Sequence, residues 1–378
     1  AAMHHAAPRH ALDAIQWDIW TGASTDAHPV GTLNRNCNGC HIQAQGISGL
    51  AALNTKLRPS PVDERMMEWL SLRLQWWQDS SGRVDGHNSA AFQRTTLAAW
   101  AWAEQLRMEM NLGRTPNITL TNALIRAVNW LVPQKNAKWW WVWWEHNDVW
   151  ETDNDEFPWP NVANRCGYSW SYRFSPMTTY LMMSALRVAY DLTSNVNYLD
   201  ELTKAAMALS TQVNWRDTCG GERYPYFAAP AMLALQEAVG VMTDTAQVQT
   251  VRDALAAFET DLRHTQQLTP TTTANDGGWR AENNTHGPAN PSDPYVTAMA
   301  LYALARQGVR STDVNLVRAT EFLLDRQDWN FKSGNTYTRP RVGRWYTIYG
   351  RGNSPVEPTT WVDFALPLVY EAIGSYSL

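Results

Sequence analysis

The residues with the most specific chemistry lie together: Cys37, Cys40 and His41 form a Cys-x-x-Cys-His run inside Asn36-Cys37-Asn38-Gly39-Cys40-His41. Two cysteines at that spacing can each form a thioether to a haem vinyl group, and the histidine after the second can sit under the iron. The run therefore predicts one covalent haem c, with His41 as its proximal ligand. Other readings of the same residues stay open. A Cys37–Cys40 disulfide is the plainest. A thioredoxin-like pair would need a strand-rich βαβ surround, a zinc site a second ligand pair, and a thioester from Cys40 and Gln43 a Gly-Cys-Gly-Glu-Gln context.

The elements that must position these residues are helices. The 378 residues are 44% hydrophobic, enough for a sizeable core, but only 18% charged with a formal net charge of -5. No basic face is offered to nucleic acid. No apolar run reaches the roughly 18 residues of a transmembrane helix. The start, Ala1-Ala2-Met3-His4-His5, reads as a mature end, and haem attachment or persistent disulfides belong outside the reducing cytosol. A periplasmic or extracellular location is the expectation.

Apolar periodicity predicts helices over 8–20, 41–57, 61–77, 90–110, 117–132, 176–192, 198–213, 228–241, 246–263, 294–307, 312–326 and 358–373. They alternate in character. Segments such as 117–132 and 246–263 are polar on one face, whereas 176–192, 228–241 and 294–307 are apolar almost all round. A helix apolar on every side must be enclosed, and an amphipathic one faces solvent. Six such alternations predict two concentric rings within one domain spanning 1–378.

Several loops repeat one another. Gln78-Asp-Ser-Ser-Gly82, Trp215 to Gly220, and Gln327-Asp-Trp329 with Gly334 each follow an outer segment, and Asn275-Asp-Gly-Gly-Trp279 precedes Ser292-Asp293-Pro294-Tyr295. On these residues the chain resembles the α/α-toroid superfamily of squalene cyclases and protein prenyltransferases, with its degenerate Gln…Gly…Trp repeats. More narrowly it is similar to bacterial prenyltransferase/squalene-oxidase-repeat proteins that carry Cys-x-x-Cys-His before the first inner helix. The resemblance implies an all-α (α/α)6 toroid of six inner and six outer helices.

Terpenoid chemistry would need a buried acid cluster. The nearest match, Asp153-Asn154-Asp155-Glu156, lies in a Trp- and Pro-rich loop and reads as a surface turn or a weak calcium site. That loop, an insertion at 134–175, holds Trp139, Trp140, Trp141, Trp143, Trp144, Trp150, Trp159 and Trp170. Such residues can cover a porphyrin, stack on a sugar or fill a small core of their own.

In a toroid the loops leading into inner helices share one rim. Cys166 and Cys219 lie in two of them and are expected to form a disulfide. The sixth iron ligand should come from the same rim: His87 first, as nearest to His41 along the ring, with Met177, His146 and His286 as rivals. The expected function is single-electron transfer by a monohaem c-type cytochrome to an unidentified redox partner. The alternatives are a toroid-cavity enzyme acting on a polysaccharide or isoprenoid, and an assembly subunit with a Trp-rich interaction surface.

Overall fold

The computed structural model describes residues 40–56, 61–84, 91–134, 176–210, 225–266, 277–279, 292–308, 313–326 and 356–373. Among these lie eleven α-helices: α1 (Cys40–Lys56), α2 (Pro61–Trp76), α3 (Ala91–Asn111), α4 (Ile118–Leu131), α5 (Pro176–Thr193), α6 (Val196–Ser210), α7 (Pro225–Val239), α8 (Thr245–Thr265), α9 (Pro294–Ala305), α10 (Val314–Arg326) and α11 (Val356–Ile373). The helix expected at 8–20 lies outside the described residues.

Burial sorts the helices into two layers. Along α9 every residue from Val296 to Leu304 is buried, so no face of it is left for water. On α4 the buried residues Leu120, Ala123, Leu124, Ala127, Val128 and Leu131 form one stripe at helical spacing. The odd-numbered helices each touch the next odd one, and α11 returns to α1, closing an inner ring. Thr360 of α11 adds a hydrogen bond at that seam, donating to the Gln45 carbonyl of α1 at 3.2 Å. The even-numbered helices lie outside the ring, each against the inner helix before it. The expected all-α toroid is what the chain forms.

Local chemistry sets the helix starts. The Asn117 side chain accepts from the Thr119 and Leu120 N–H groups, and Asp244 caps α8 through Gln247. Two boundaries differ from the sequence reading. Asn195 accepts from the Asn197 N–H at 3.1 Å, so α6 begins at Val196 rather than 198, and α7 begins at Pro225, three residues before the expected 228. Proline is suited to a first turn because its missing N–H is not needed there.

The connections are unequal. Those from an inner to an outer helix are short, for example 194–195 and 240–244, while those from an outer to an inner helix are long, as at 135–175 and 327–355. Each long one therefore leads into the N-terminal end of an inner helix. That end is the mouth of the toroid.

Two of the long connections are wired alike. Gln78 donates to the Gly82 carbonyl at 3.1 Å and to the Ala123 carbonyl of the next outer helix at 2.8 Å. Gln266 donates to the Gly277 carbonyl at 2.7 Å and to the Asn315 carbonyl of its next outer helix at 2.8 Å. The Gln oxygen is met by Arg126 in the first turn and by Asn315 in the second. Two residues past each glycine, the Val84 and Trp279 N–H groups donate to Thr95 and Thr297 of the following inner helix, both at 2.9 Å. This is the physical content of the Gln…Gly…Trp repeat: one glutamine ties an outer helix to the next outer helix, and the turn ties it to the next inner one.

Candidate functional site

The second turn leads directly to the mouth. Gly278 brings the chain close to Ser292, and the Asp293 N–H donates to the Trp279 carbonyl at 2.8 Å. Asp293 then caps α9, accepting from the Tyr295 and Val296 N–H groups. The cap holds Tyr295 in the first turn of an inner helix. Its ring meets Trp361 of α11 edge-on at 6.5 Å.

Below Tyr295 the axis is filled with aromatic rings from four inner helices. Trp100 of α3 stacks on Trp361 at 5.9 Å and on Phe364 at 5.8 Å. Tyr180 of α5 reaches Trp361 at 5.9 Å from the opposite side of the ring, and Tyr302 of α9 lies 5.2 Å from Phe364. Tyr295 is the least buried of these rings. Two polar groups in the cluster, Trp100 Nε1 and Tyr180 Oη, are buried and have no hydrogen-bond partner among the described residues. Buried polar groups are nearly always paired, so each is a place where a polar ligand or water would gain a bond.

Deeper still, charged residues close the axis. Arg107 of α3 donates to both oxygens of Glu237 of α7, at 3.1 and 2.8 Å. Arg306, at the end of α9, donates to the same carboxylate at 2.8 Å, and Ser184 of α5 bridges Arg107 and Glu104. Burial alone would raise the Glu237 carboxyl, but the two guanidinium groups beside it pull it down to about 2. Against the opposing effect of burial, Glu104 and Glu237 hold Arg107 well above its ordinary value, and Glu237 does the same for Arg306. Burial raises Tyr180 well above the ordinary phenol value and raises Tyr302 as well. Glu237 is thus a fixed anion. It is unsuited to give a proton at neutral pH.

A further buried carboxyl lies on α11. Asp363 is fully buried, neither oxygen has a partner among the described residues, and burial raises it well above the ordinary value. It sits two residues past Trp361, so helical geometry turns it away from the axis, toward the side where Thr360 meets α1. Sequence reading missed Asp363, Glu237, Arg107 and Arg306, which come from four different inner helices or their ends.

The residues expected to hold haem are placed as follows. Cys40 and His41 are the first residues of α1, an inner helix. Met177 is in the first turn of α5 and is buried in the core. Cys37, Cys166, Cys219, His87, His146 and His286 lie outside the described residues, as do Asp153 to Glu156 and 135–175. Among the described residues no group of three or more His, Cys, Asp or Glu is placed to hold a metal ion. None of their helices is long and apolar enough to cross a membrane.

No protein-family model matches the chain, and no curated protein matches it by sequence. Solved structures do match. The chain is similar to cellobiose 2-epimerase from Spirochaeta thermophila, with TM-score 0.60 and 13% identity over 97% of this chain and 98% of that one. It is similar to the GH76 alpha-mannanase BT2949 of Bacteroides thetaiotaomicron, with TM-score 0.56 and 10% identity over 99% of this chain and 97% of that one. A polysaccharide lyase, BACCELL_00875, matches with TM-score 0.52 and 12% identity over 97% of this chain but 52% of its own. At such identities the likeness is one of fold.

These findings correct the expectation of a monohaem c-type cytochrome. The three matched structures named above are carbohydrate enzymes by name, not cytochromes, and the described residues assemble no metal-binding group around α1. Covalent haem c, iron, electron transport and a redox partner are therefore set aside. The motif misled because three fixed positions in five residues can arise without the cofactor. The Cys166–Cys219 disulfide has no support, since both residues lie outside the described ones.

Proposed function

We propose that the chain is a carbohydrate-active enzyme that seats a saccharide at the mouth of the toroid, over Tyr295 and the rings beneath it. The observation that carries this is the aromatic floor with two unpartnered polar groups, Trp100 Nε1 and Tyr180 Oη, on the axis. A sugar ring offers one apolar face to an aromatic side chain and a rim of hydroxyls to buried donors and acceptors. The fold shared with an epimerase, a mannanase and a lyase supports the same substrate class.

Titration of the full chain with cellobiose, mannobiose and longer β- and α-linked oligosaccharides, read by intrinsic tryptophan fluorescence, tests the binding. Chromatography of the incubated sugars tests the turnover. Saturable binding to one linkage type, with a changed product, is the expected result. A panel that leaves both the fluorescence and the sugars unchanged would remove this reading.

A second reading has its own observation. The paired Gln78–Gly82 and Gln266–Gly277 turns support the likeness to prenyltransferase/squalene-cyclase repeats, and an aromatic floor can also stabilise a carbocation. Binding of a farnesyl or squalene-like ligand in place of every saccharide would favour it.

A further inference from the structure

The outer wall carries an aromatic stripe that the axis does not use. On α2, Trp69 is 42% exposed, Leu72 is 51% and Trp76 is 72%, which makes them three of the largest exposed apolar side chains among the described residues. Their spacing of three and four residues puts them on one line along the helix. Trp69 and Trp76 are seven residues apart, so they lie about 10.5 Å apart along the axis and within about 20° of each other around it. The Arg73 guanidinium lies over the Trp69 ring at 5.1 Å, which props that ring in place. Glu68 and Arg65 flank the stripe, both exposed.

From this we infer that the α2 wall is a second saccharide-binding surface, which holds an extended β-1,4-linked polysaccharide and leads it to the mouth. This rests on the proposed carbohydrate function. Two indole rings on one line, separated by about the length of one disaccharide unit, match a chain whose alternate sugars present the same face. The flanking charged and amide side chains, Arg65, Glu68 and Gln75, are suited to sugar hydroxyls. Trp76 ends α2 at the connection into α3, so the line of rings runs toward the mouth rather than away from it. A second copy of the chain is a poor occupant. Three side chains bury far less than the roughly 800 Å² per partner that a stable association needs.

The experiment is affinity electrophoresis of the full chain in native gels cast with hydroxyethyl cellulose or β-1,4-glucomannan. The wild type is compared with Trp69→Ala/Trp76→Ala, both of which are exposed sites. The expected result is retardation of the wild type and its loss in the double variant, on the order of tenfold weaker binding or more. Fluorescence titration with the short oligosaccharide that binds at the mouth should be unchanged, and thermal unfolding should show both proteins folded. Equal retardation of the two proteins overturns the wall site while leaving the mouth reading intact. Absence of retardation in both also overturns it, and the short-oligosaccharide titration then decides the function separately. A wild type that is dimeric by light scattering and monomeric after the substitutions would assign the stripe to self-association and overturn the proposal.

Discussion

Arg107 grips both oxygens of Glu237 from a helix two places away in the inner ring, so one ion pair spans α3 to α7 across the closed end of the toroid. Arg306 meets the same carboxylate from α9. The Glu237 carboxylate is buried and finds its charge partners in these two guanidinium groups, each of which keeps some contact with solvent. Glu237→Gln should therefore destabilise the protein by about 3–5 kcal/mol at neutral pH, the usual cost of breaking a buried pair from one side. The pH dependence follows from the depressed carboxyl. Wild-type stability from this group is complete above the ordinary 4.5 and is lost as pH falls toward about 2. Denaturant unfolding from pH 7 to pH 2 should show the wild type converging on the variant at the acid end. A constant gap between them would contradict the assignment.

The glycines of the repeated turns separate two kinds of constraint. At Gly82 (φ +99°) an added Cβ would lie 2.1 Å from the Arg126 carbonyl oxygen, and at Gly277 (φ +92°) 2.3 Å from that of Arg318. Gly113 and Gly308 have positive φ with nothing within 4 Å. Gly113→Ala should cost about 1 kcal/mol, the price of the left-handed conformation alone. Gly82→Ala and Gly277→Ala must also push an outer helix away, so each should cost several times as much in thermal or denaturant unfolding.

The turn wiring predicts matched losses at distant sites. Thr95→Val and Thr297→Val remove the acceptors of the Val84 and Trp279 N–H groups and leave buried donors unpaired. Each should cost about 1–3 kcal/mol. The two sites share no partner, so their effects should add in the double variant within about 0.5 kcal/mol.

Periodicity and punctuation carried the fold because they are local. Pro61, Pro176 and Pro294 announce helix starts, and the all-apolar 294–307 segment can only be enclosed, so the rings follow from the sequence itself. The repeat was legible at Gln78 and Gly82, but Gln266 was not, because the glycine it serves lies eleven positions away. The axis was illegible for a related reason. Arg107, Glu237 and Arg306 are 130 and 69 positions apart and look like ordinary charges near helix ends, and only ring closure brings them together. Cys37 to His41 made the opposite error, since a compact motif names a chemistry without showing the surround that the chemistry needs.

Tyr295 gives the mouth reading a direct handle. It is the least buried ring of the floor and is held by the Asp293 cap. Tyr295→Ala should weaken saccharide binding on the order of tenfold, as loss of one stacking face implies. Tyr295→Phe keeps that face and should restore most of the affinity. Fluorescence titration of the two variants makes the comparison, and an equal loss in both would point to the hydroxyl rather than the ring.

Asp363 sets the opposite pH trend from Glu237. Its carboxyl is raised well above the ordinary 3.8 by burial, so the folded protein holds a proton that the unfolded chain releases. Below the unfolded value the group costs little, and stability falls as pH rises through the interval up to the folded value. Asp363→Asn cannot ionise. It should match the wild type near pH 3 and exceed it in melting temperature by a growing margin up to the raised folded value, where the gap levels off. Scanning calorimetry across pH 3 to 9 provides the comparison. A gap that ignored pH would mean that Asp363 finds a charge partner, and the seam between α11 and α1, where Thr360 reaches Gln45, would be the place to look for it.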